Sequence, residues 1–381
     1  MKIEQCRSSF MLRHLYHFLC LIAGLCIGVS LSYYLRFNQV DLQALSLSGY
    51  YQAEPSMSEP PSPTELLLPP ALNKGVLSEG DHELFQRALA VSESVEMSDK
   101  VTTPKVAFMF LAKGSLPLAP LWELFFRGYE GLYTIYVHSS PLYVDSVPQD
   151  SVFHGKRVPS QEVQWGTSSM IDAERRLLAN ALLEISNKRF ILLSESCIPL
   201  FNFTTTYKYL INSSLSFIHS FDDPRKSGRG RYNNLMWPTI SVEQWRKGSQ
   251  WFEVNRKMAL EIISDIKYYL MFVEHCHMPC YADEHYIPTL VNILRPDENS
   301  NRSITWVDWS KPGPHPGRFV RAHISAEFID RIRFGANCSY GENTDTNICF
   351  LFARKFNPDT LQPLLQIAPS LLGVESVNKV N

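Results

Sequence analysis

The sequence lacks the short signatures by which several large enzyme classes are recognised. It contains no G-x-x-x-x-G-K-[ST] phosphate loop, no H-E-x-x-H zinc motif and no G-x-S-x-G nucleophile elbow, so none of those three mechanisms is indicated. It also lacks a charge surplus, because 36 basic and 38 acidic side chains give a net charge of -2. Without a basic excess, nucleic acid is not an expected partner. No internal repeat is evident.

A stretch without charge near the N-terminus predicts a membrane anchor. Residues 15–35 hold no Asp, Glu, Lys or Arg, and about 20 such residues cross a hydrocarbon core of about 30 Å. Lys2, Arg7 and Arg13 precede the stretch, which places residues 1–14 in the cytosol and the rest of the chain in a lumen. The alternative is a cleaved signal peptide, which the length of the stretch disfavours.

Residues 36–103 have the composition of a stem. Six prolines lie between positions 55 and 70 among Ser and Glu, and such a segment is extended and poorly packed. Residues 81–91 have the spacing of a short amphipathic helix, with Leu84, Phe85, Ala88 and Leu89 on one side. We predict a luminal domain over residues 104–381.

Sequons and cysteines agree with a lumen. N-glycosylation is predicted at four N-x-S/T sequons, which are Asn202, Asn212, Asn301 and Asn337. Five cysteines follow the anchor, where an oxidising compartment preserves disulfides, so at least one thiol stays free or pairs between chains. A short loop joins Cys338 to Cys349, and we predict this pair as a disulfide because closing a short loop costs little entropy.

The order of apolar segments after position 104 predicts an α/β fold. Strands are expected at 106–112, 133–138 and 189–194, with helices at 118–129 and 168–186. This alternation is typical of a mostly parallel sheet. Ligands of such sheets bind beyond the carboxyl ends of the strands, which here are Ala112-Lys113, His138-Ser139 and Ser194-Glu195.

The segment CYADEHY at 280–286 is the strongest candidate for chemistry. Asp283 and Glu284 lie among aromatic and apolar neighbours, and burial makes a carboxylate a better proton acceptor by raising its pKa. The nearby Cys276 and Cys280, with flanking histidines, allow two interpretations. A zinc site is one; a small disulfide loop or buried thiols is the other, which the lumen favours.

Three more clusters carry weaker signals. Asp222-Asp223 could hold a divalent cation, but the Asp-Asp-Pro sequence and four following basic residues favour an ion-paired turn. The run CFLFARKF ends an apolar segment with Arg354-Lys355, and paired cations stabilise a leaving diphosphate. The segment WRKGSQWF combines two tryptophans with donors, which suits either a sugar-binding surface or core packing.

These segments together resemble the plant branch of the core-2/I-branching β-1,6-N-acetylglucosaminyltransferases. The resemblance rests on CYADEHYIPTL, WRKGSQWF, GRGRY at 228–232 and CFLFARKF, and it covers about residues 104–360. It implies a GT-A-like, Rossmann-type α/β sandwich anchored in the Golgi membrane as a single-pass type II protein. It further implies an inverting transfer, most simply of N-acetylglucosamine, from a UDP-sugar to a glycan or glycoprotein, without a metal or other cofactor.

Roles follow from the resemblance residue by residue. Glu284 takes the position of the catalytic base and Lys355 that of a diphosphate ligand, with Arg331 or Arg333 as its arginine partner. The implied nucleoside contacts are Leu111, Ala112, Lys113, His138 and Trp165. The implied acceptor contacts are Arg231, Tyr232, Trp251 and Asp283.

The sequence departs from the animal relatives in ways that leave the donor open. His138 and Trp165 stand where those relatives carry aspartate and tyrosine, and Arg354 where they carry asparagine. Transfer of xylose or glucuronic acid to wall polysaccharide or proteoglycan glycans is therefore an alternative, because a few pocket contacts decide sugar choice. A non-catalytic Golgi lectin is another. Whether the chain forms a homodimer is open.

Overall fold

The computed structural model describes residues 78–96, 102–144, 146–311, 313, 315–341 and 344–373. The expected tail and anchor, and the proline-rich part of the stem, lie outside the described residues. Within the described ranges, no helix combines the length and apolar character that a bilayer crossing requires.

Strands and helices alternate through the first half of the described chain, as the sequence predicts. The strands are β1 Lys105–Leu111, β2 Tyr133–His138, β3 Asn187–Ser194, β4 Ile198–Pro199, β5 Glu253–Asn255, β6 Thr305–Val307, β7 Cys338–Ser339, β8 Asp345–Thr346 and β9 Phe352–Arg354. The α-helices are α1 Glu79–Glu96, α2 Ala119–Phe126, α3 Ser168–Leu182, α4 Phe203–Ile211, α5 Arg256–Ser264, α6 Lys267–His275, α7 Tyr286–Leu294, α8 Ala326–Phe334 and α9 Leu361–Leu372.

The main sheet has the strand order β2-β1-β3-β5. β1 pairs in parallel with both β2 and β3, whereas β5 pairs with β3 in the antiparallel sense. Most side chains of β1 and β3 are buried, because helices cover both faces of the sheet. The prediction of a mostly parallel α/β sheet is therefore confirmed, and its architecture fits a GT-A-like fold.

Each face of the sheet packs on its own apolar cluster. On β1, Ala107 and Met109 enter one cluster with α1, α3 and α5, while Val106, Phe108 and Phe110 enter the other with α2 and α9. This division follows from the two-residue period of a strand, which sends successive side chains to opposite faces. The result is a three-layer sandwich with helices on both sides.

A small sheet lies beside the main one and carries the basic C-terminal segment. Its order is β4-β9-β6, in which β9 runs parallel to β6 and antiparallel to β4. β4 follows β3 closely in the chain, so β9 is brought near the carboxyl end of the central strand. The cations at the end of β9 thereby reach the edge at which parallel sheets bind ligands.

Helix α1, which lies in the segment expected to be a stem, packs on the globular domain. Phe85, Ala88 and Leu89 are buried in the core, as the amphipathic spacing predicts. Asp81 accepts two hydrogen bonds of 2.6 Å from the buried Arg176 of α3. The packed structure thus begins before residue 104, since this helix buries both an apolar face and an ion pair.

Two disulfides are present. Cys338 is bonded to Cys349 as predicted, and this bond closes the β7–β8 hairpin region. Cys276 is bonded to Cys280, so the disulfide interpretation of that pair is confirmed and neither sulfur is a thiolate ligand. Cys197 is buried and free, in agreement with the odd number of cysteines after residue 35.

Candidate active site

The carboxyl ends of three parallel strands meet at one edge of the sheet. Leu111 of β1 is aligned with His138 of β2 and with Ser194 of β3. The backbone N–H of Ala112 donates to the carbonyl of His138 at 2.9 Å. The segments after these strands therefore lie side by side, and they include Lys113 and Glu195.

Glu284 ends a short 3-10 turn, Ala282–Glu284, that leads directly into α7. The turn is held by backbone bonds from Ala282 N–H to the carbonyl of Gly166 at 3.1 Å and from Gly248 N–H to the carbonyl of Glu284 at 2.8 Å. A side chain at Gly248 would place its Cβ 1.8 Å from the carbonyl oxygen of His219. Only glycine permits this close approach to His219, and the hydrogen bond from Gly248 holds the WRKGSQWF segment against the turn.

Two cations hold one oxygen of Glu284. Oε2 accepts a hydrogen bond of 2.7 Å from Nη1 of Arg231 and one of 2.6 Å from Nζ of Lys247. Burial raises the pKa of Glu284, but the charges and hydrogen bonds of Lys247 and Arg231 outweigh burial, so the net shift is downward. The carboxylate is thus kept ionised, and its Oε1 accepts a hydrogen bond from neither of these two cations. We call Glu284, Lys247 and Arg231 the base pocket.

Asp283 is buried behind the base pocket and differs from its neighbour. Its side chain is 4% exposed, and its Oδ1 has no hydrogen-bond partner among the described residues. Burial, followed by the charge of Glu284, raises the pKa of Asp283 to about 6. Burial, together with the charge of Asp283, raises the pKa of Glu174, which accepts a hydrogen bond from Gln250 at 2.9 Å.

Aromatic rings surround the base pocket on its open side. The guanidinium of Arg231 lies 4.3 Å from the ring centroid of Tyr281, and Tyr281 is 4.9 Å from Trp165. Trp165 is 46% exposed, which suits a ring that contacts a ligand. Tyr232 donates its hydroxyl hydrogen to the carbonyl of Ile240 at 2.7 Å.

Trp251 lies inside the protein. It is 6% exposed, and the guanidinium of Arg354 stacks on its ring at 3.9 Å from the centroid. Trp245 is also buried and stacks on His285. Both tryptophans of WRKGSQWF therefore pack in the core, and Trp251 fixes a cation of the CFLFARKF segment by a cation–π contact.

Cations gather around Lys355. Burial, followed by the charges of Arg354, Arg318 and Lys113, lowers the pKa of Lys355, and Glu195 opposes the charges. The backbone places them, because Phe319 N–H donates to the carbonyl of Lys355 at 2.9 Å and so sets Arg318 beside it. We call Lys113, Arg318, Arg354 and Lys355 the cationic cluster.

Comparison with known proteins agrees with this geometry. Residues 106–333 match the family model described as Branch, core-2/I-branching enzyme. The chain is 36% identical over 313 residues to a protein named glycosyltransferase BC10 from Oryza sativa subsp. japonica, a match that covers 71% of this chain and 78% of the rice protein. The chain belongs to the core-2/I-branching enzyme family. It is therefore a glycosyltransferase.

Within this core-2/I-branching domain, Arg331 and Arg333 lie on α8. Arg333 donates to Asp330 at 3.0 Å and stacks over Phe201 and Phe334. The charges that act on Lys355 are those of Arg354, Arg318 and Lys113. Sequence reasoning did not single out Arg318, because it lies in a Gly- and Pro-rich segment without a motif.

His138 is buried where β2 ends, at the carboxyl edge of the main sheet. It is 1% exposed, and its Nε2 lies 3.0 Å from Nη1 of Arg176. Burial, followed by the charge of Arg176, lowers the pKa of His138 to about 4. A neutral, buried imidazole therefore ends β2, and Leu111, Ala112 and Lys113 lie at the same edge of the sheet.

The remaining acidic pair of this glycosyltransferase is satisfied by arginines. Asp222 accepts two hydrogen bonds of 2.7 Å from Arg229, and Asp223 accepts hydrogen bonds from Arg225 and Ser227. This geometry agrees with the ion-paired turn. Across the described ranges, no three His, Cys, Asp or Glu side chains group as metal ligands would.

The predicted sequons differ in accessibility. Asn212, Asn301 and Asn337 are exposed, whereas Asn202 is half-buried. The Oδ1 of Asn202 accepts the N–H of Thr205 at 2.9 Å and caps α4. Capping uses the oxygen, so the nitrogen to which a glycan is attached is not consumed by this hydrogen bond.

Lys247 is the functional candidate to which sequence reasoning gave no role. It lies in WRKGSQWF, 37 residues before Glu284, and contacts it directly. The sequence did contain an indication of its position, since a lysine close to two tryptophans and a glycine is expected to be partly buried. What the sequence did not show is the close approach at Gly248 that aims this lysine at the base.

Proposed function

We propose that this protein is an inverting glycosyltransferase that moves a sugar from a UDP-sugar to a hydroxyl of a glycan, with Glu284 as the base. The observation that carries the proposal is the base pocket. One oxygen of Glu284 is fixed by Arg231 and Lys247 at 2.7 and 2.6 Å, while the carboxylate stays partly open, at 26% side-chain exposure. A general base needs both fixed orientation and access to its proton.

The reaction proceeds in one displacement. Glu284 accepts the proton of the acceptor hydroxyl while the hydroxyl oxygen forms a bond to the anomeric carbon of the donor. The bond between that carbon and the diphosphate oxygen breaks on the opposite face, and its electron pair leaves with UDP. Configuration at the anomeric carbon is thereby inverted. The proton on Glu284 then passes to solvent.

The cationic cluster is proposed to bind the diphosphate and to stabilise the charge that develops on it. Lys355 and Arg318 supply donors at adjacent positions, linked by the hydrogen bond from Phe319 to Lys355. Fixed cations can replace a bound metal in this role, since they need no reorganisation as charge develops. A reaction without a metal cofactor is therefore proposed. Trp165, whose ring lies beside Tyr281 and His315, is proposed to contact the nucleoside.

The proposed setting is the Golgi lumen, with the chain held by a single type II anchor. N-acetylglucosamine is the proposed donor sugar, because the sequence motifs resemble those of β-1,6-N-acetylglucosaminyltransferases. UDP release from UDP-N-acetylglucosamine, UDP-xylose and UDP-glucuronic acid would identify the donor. Preference for either of the last two would replace the sugar in this proposal and leave the mechanism unchanged.

Substitution of Glu284→Gln tests the base directly. The amide keeps the shape but does not accept the proton, so transfer should fall by about 10²–10⁴-fold while UDP affinity, measured by calorimetry, stays within a few-fold. Glu327→Gln, at an exposed position of α8, is the matched control and should retain full activity. Full turnover by the Glu284→Gln protein would disprove the assignment.

A further inference from the structure

Tyr281, the residue before the turn that carries the base, has a strained backbone. Its φ of 59° and ψ of 77° lie in the left-handed region. In the ranges that the structure describes, Asn301 is the only other non-glycine residue with a positive φ, and asparagine tolerates this region far better than a bulky aromatic residue. A strained tyrosine beside a reactive carboxylate indicates that the position of its ring has a function.

Backbone contacts hold Tyr281 in this conformation. The N–H of the next residue, Ala282, donates to the carbonyl of Gly166 at 3.1 Å, and the carbonyl of Tyr281 accepts the N–H of Glu284 at 3.1 Å. The ring lies directly against Gly166, where an added Cβ would be 2.9 Å from Cδ1 of Tyr281. The ring therefore has a defined place relative to Glu284.

Core packing does not account for the position of the ring. Tyr281 is half-buried and belongs to neither apolar cluster of the main sheet, and its hydroxyl has no hydrogen-bond partner among the described residues. The guanidinium of Arg231 instead lies over the ring, 4.3 Å from its centroid, and the ring of Trp165 is 4.9 Å away. The strained backbone thus supports a cation–π contact rather than burial.

Arg231 is held by few other contacts. Its Nη1 donates to Oε2 of Glu284 at 2.7 Å, and no second N–H of its side chain reaches an acceptor in the described part of the chain. One hydrogen bond does not fix the plane of a guanidinium, whereas a bidentate pair does. The ring of Tyr281 supplies the missing constraint, because it restricts the guanidinium to one plane above it.

We propose that Tyr281 is a positioning residue of the base pocket, whose ring holds Arg231 in the orientation in which Nη1 reaches Glu284. This inference rests on the proposed function of Glu284 as the base. Arg231 and Lys247 together orient the carboxylate, so loss of the ring should misalign the base with the acceptor hydroxyl. The expected kinetic effect is a fall in kcat without a matching loss of UDP affinity.

Three substitutions in the full-length chain separate the ring from the backbone. Tyr281→Leu removes the ring and keeps apolar bulk, whereas Tyr281→Asn removes the ring and suits the left-handed backbone. In both, kcat for UDP release from UDP-N-acetylglucosamine should fall about 5- to 30-fold, which is a cation–π contact of about 1–2 kcal/mol converted at 1.4 kcal/mol per tenfold. UDP affinity, measured by calorimetry, should stay within about threefold. Tyr281→Phe keeps the ring and should rescue kcat.

A double-mutant cycle tests whether Tyr281 acts through Arg231. In an Arg231→Met background, Tyr281→Leu should lower kcat by less than about twofold, because the side chain that the ring supports is already absent. The matched control is Tyr268→Leu, since Lys267 lies over the ring of Tyr268 at 5.0 Å on α6, outside the base pocket. This control should keep wild-type kinetics.

Crystal structures of two variants test the same role without a substrate. Arg231 should lose its 2.7 Å contact with Glu284 in the Tyr281→Asn protein and keep it in the Tyr281→Phe protein. An unmoved Arg231 in the Tyr281→Asn protein would overturn the inference, whether or not turnover is measurable.

The kinetic outcomes that contradict the role of Tyr281 are equally specific. Additive losses in the cycle, an equal loss in Tyr281→Phe, or wild-type kcat in both variants without the ring would overturn it. A loss of UDP affinity as large as the loss of kcat would also do so, because Tyr281 would then contact the donor. The proposed function fails separately, through full turnover by Glu284→Gln. Lost turnover in Glu284→Gln with wild-type kinetics in Tyr281→Leu would refute the positioning role alone.

Discussion

The base pocket and the cationic cluster both contain cations and a carboxylate, but the two groups differ in whether the cations are paired with it. In the base pocket, two cations share one carboxylate at 2.6 and 2.7 Å. In the cationic cluster, the charge of Glu195 opposes the charges of the neighbouring cations in its effect on the pKa of Lys355. The cluster consists of Lys113, Arg318, Arg354 and Lys355. None of these four cations takes part in an ion pair with another described residue.

This difference separates two uses of charge. The satisfied carboxylate has a fixed orientation, and its lowered pKa keeps it ionised. Burial, followed by the charges of neighbouring cations, disfavours the charged form of Lys355, and this costs stability. Such a cost is usual at sites that bind an anion. The contrast therefore supports a base of fixed orientation in the base pocket and the proposed anion binding in the cationic cluster.

Removal of the central cation should have the largest effect. In Lys355→Met, we expect kcat to fall by about 10²–10³-fold, since a fixed donor to the developing charge is lost. UDP affinity should fall as well. Steady-state kinetics with saturating acceptor and calorimetry with UDP would measure both. Lys226→Met, at an exposed site, is the control, and equal kinetics of the two variants would contradict the role of the cluster.

The same assay distinguishes the arginines. Arg318→Met should resemble Lys355→Met in direction, because Arg318 acts on Lys355. Arg333→Met should affect UDP binding little, since this residue contacts Asp330, Phe201 and Phe334. A larger effect of Arg333→Met than of Arg318→Met would instead place the diphosphate beside α8, as the family resemblance implies.

The buried pair of Asp81 and Arg176 lies behind the ligand edge, where Arg176 contacts His138, and should affect stability more than binding. Asp81 and Arg176 are 8% and 3% exposed, so Asp81→Ala leaves a buried arginine unpaired. We expect the free energy of unfolding to fall by about 3 kcal/mol, measured by urea denaturation. Glu298→Ala breaks the more exposed pair with Lys257 and should cost less than about 1 kcal/mol. Equal losses would show that α1 is not anchored by its ion pair.

Loss of one cation from the base pocket should change the pH dependence. Lys247 lowers the pKa of Glu284, so Lys247→Met raises that pKa and the base becomes protonated at a higher pH. Activity lost relative to wild type should be roughly three- to tenfold greater at pH 5 than at pH 7.5. Lys247→Arg should restore most of the acid-side activity.

Asp283 must be separated from this effect, because its pKa of about 6 lies in the same range. The pH profile of Lys247→Met would therefore be recorded with and without Asp283→Asn. A shift that disappears in the double variant would assign the acid limb to Asp283 instead of Glu284.

The fold was largely predictable because its strands are buried on both faces. Continuous apolar runs such as 106–111 are visible without knowledge of their partners, and the sequence placed β2 at its observed bounds. Helix α1 was visible as an amphipathic pattern, but its packing was not. That packing depends on Arg176, which is 95 residues away in the chain.

The sequence alone singled out the carboxylate of the candidate site, Glu284, but it singled out only some of the cations around it. Glu284 and Lys355 lie in short segments with strong local character. Lys247 and Arg318 become relevant through contacts made by backbone at Gly248 and Phe319, and such long-range contacts leave no periodic signal. Trp251 shows the opposite case, since its aromatic character suited a sugar surface but its ring packs on Arg354.

The smallest expected effect is that of a chelator. Asp222 and Asp223, the pair that sequence alone offers to a cation, already accept hydrogen bonds from Arg229 and Arg225. The guanidinium of Arg225 lowers the pKa of Asp223 to about 2, so a metal would have to displace an arginine from an ionised carboxylate. We expect transfer to change by less than about twofold in excess EDTA, because the cationic cluster supplies the charge that a metal otherwise would. Inhibition by EDTA that Mn²⁺ reverses would instead make this pair a metal site and reduce the cationic cluster to a supporting role. In that case, Asp222→Asn should either lower transfer as EDTA does or abolish the effect of EDTA.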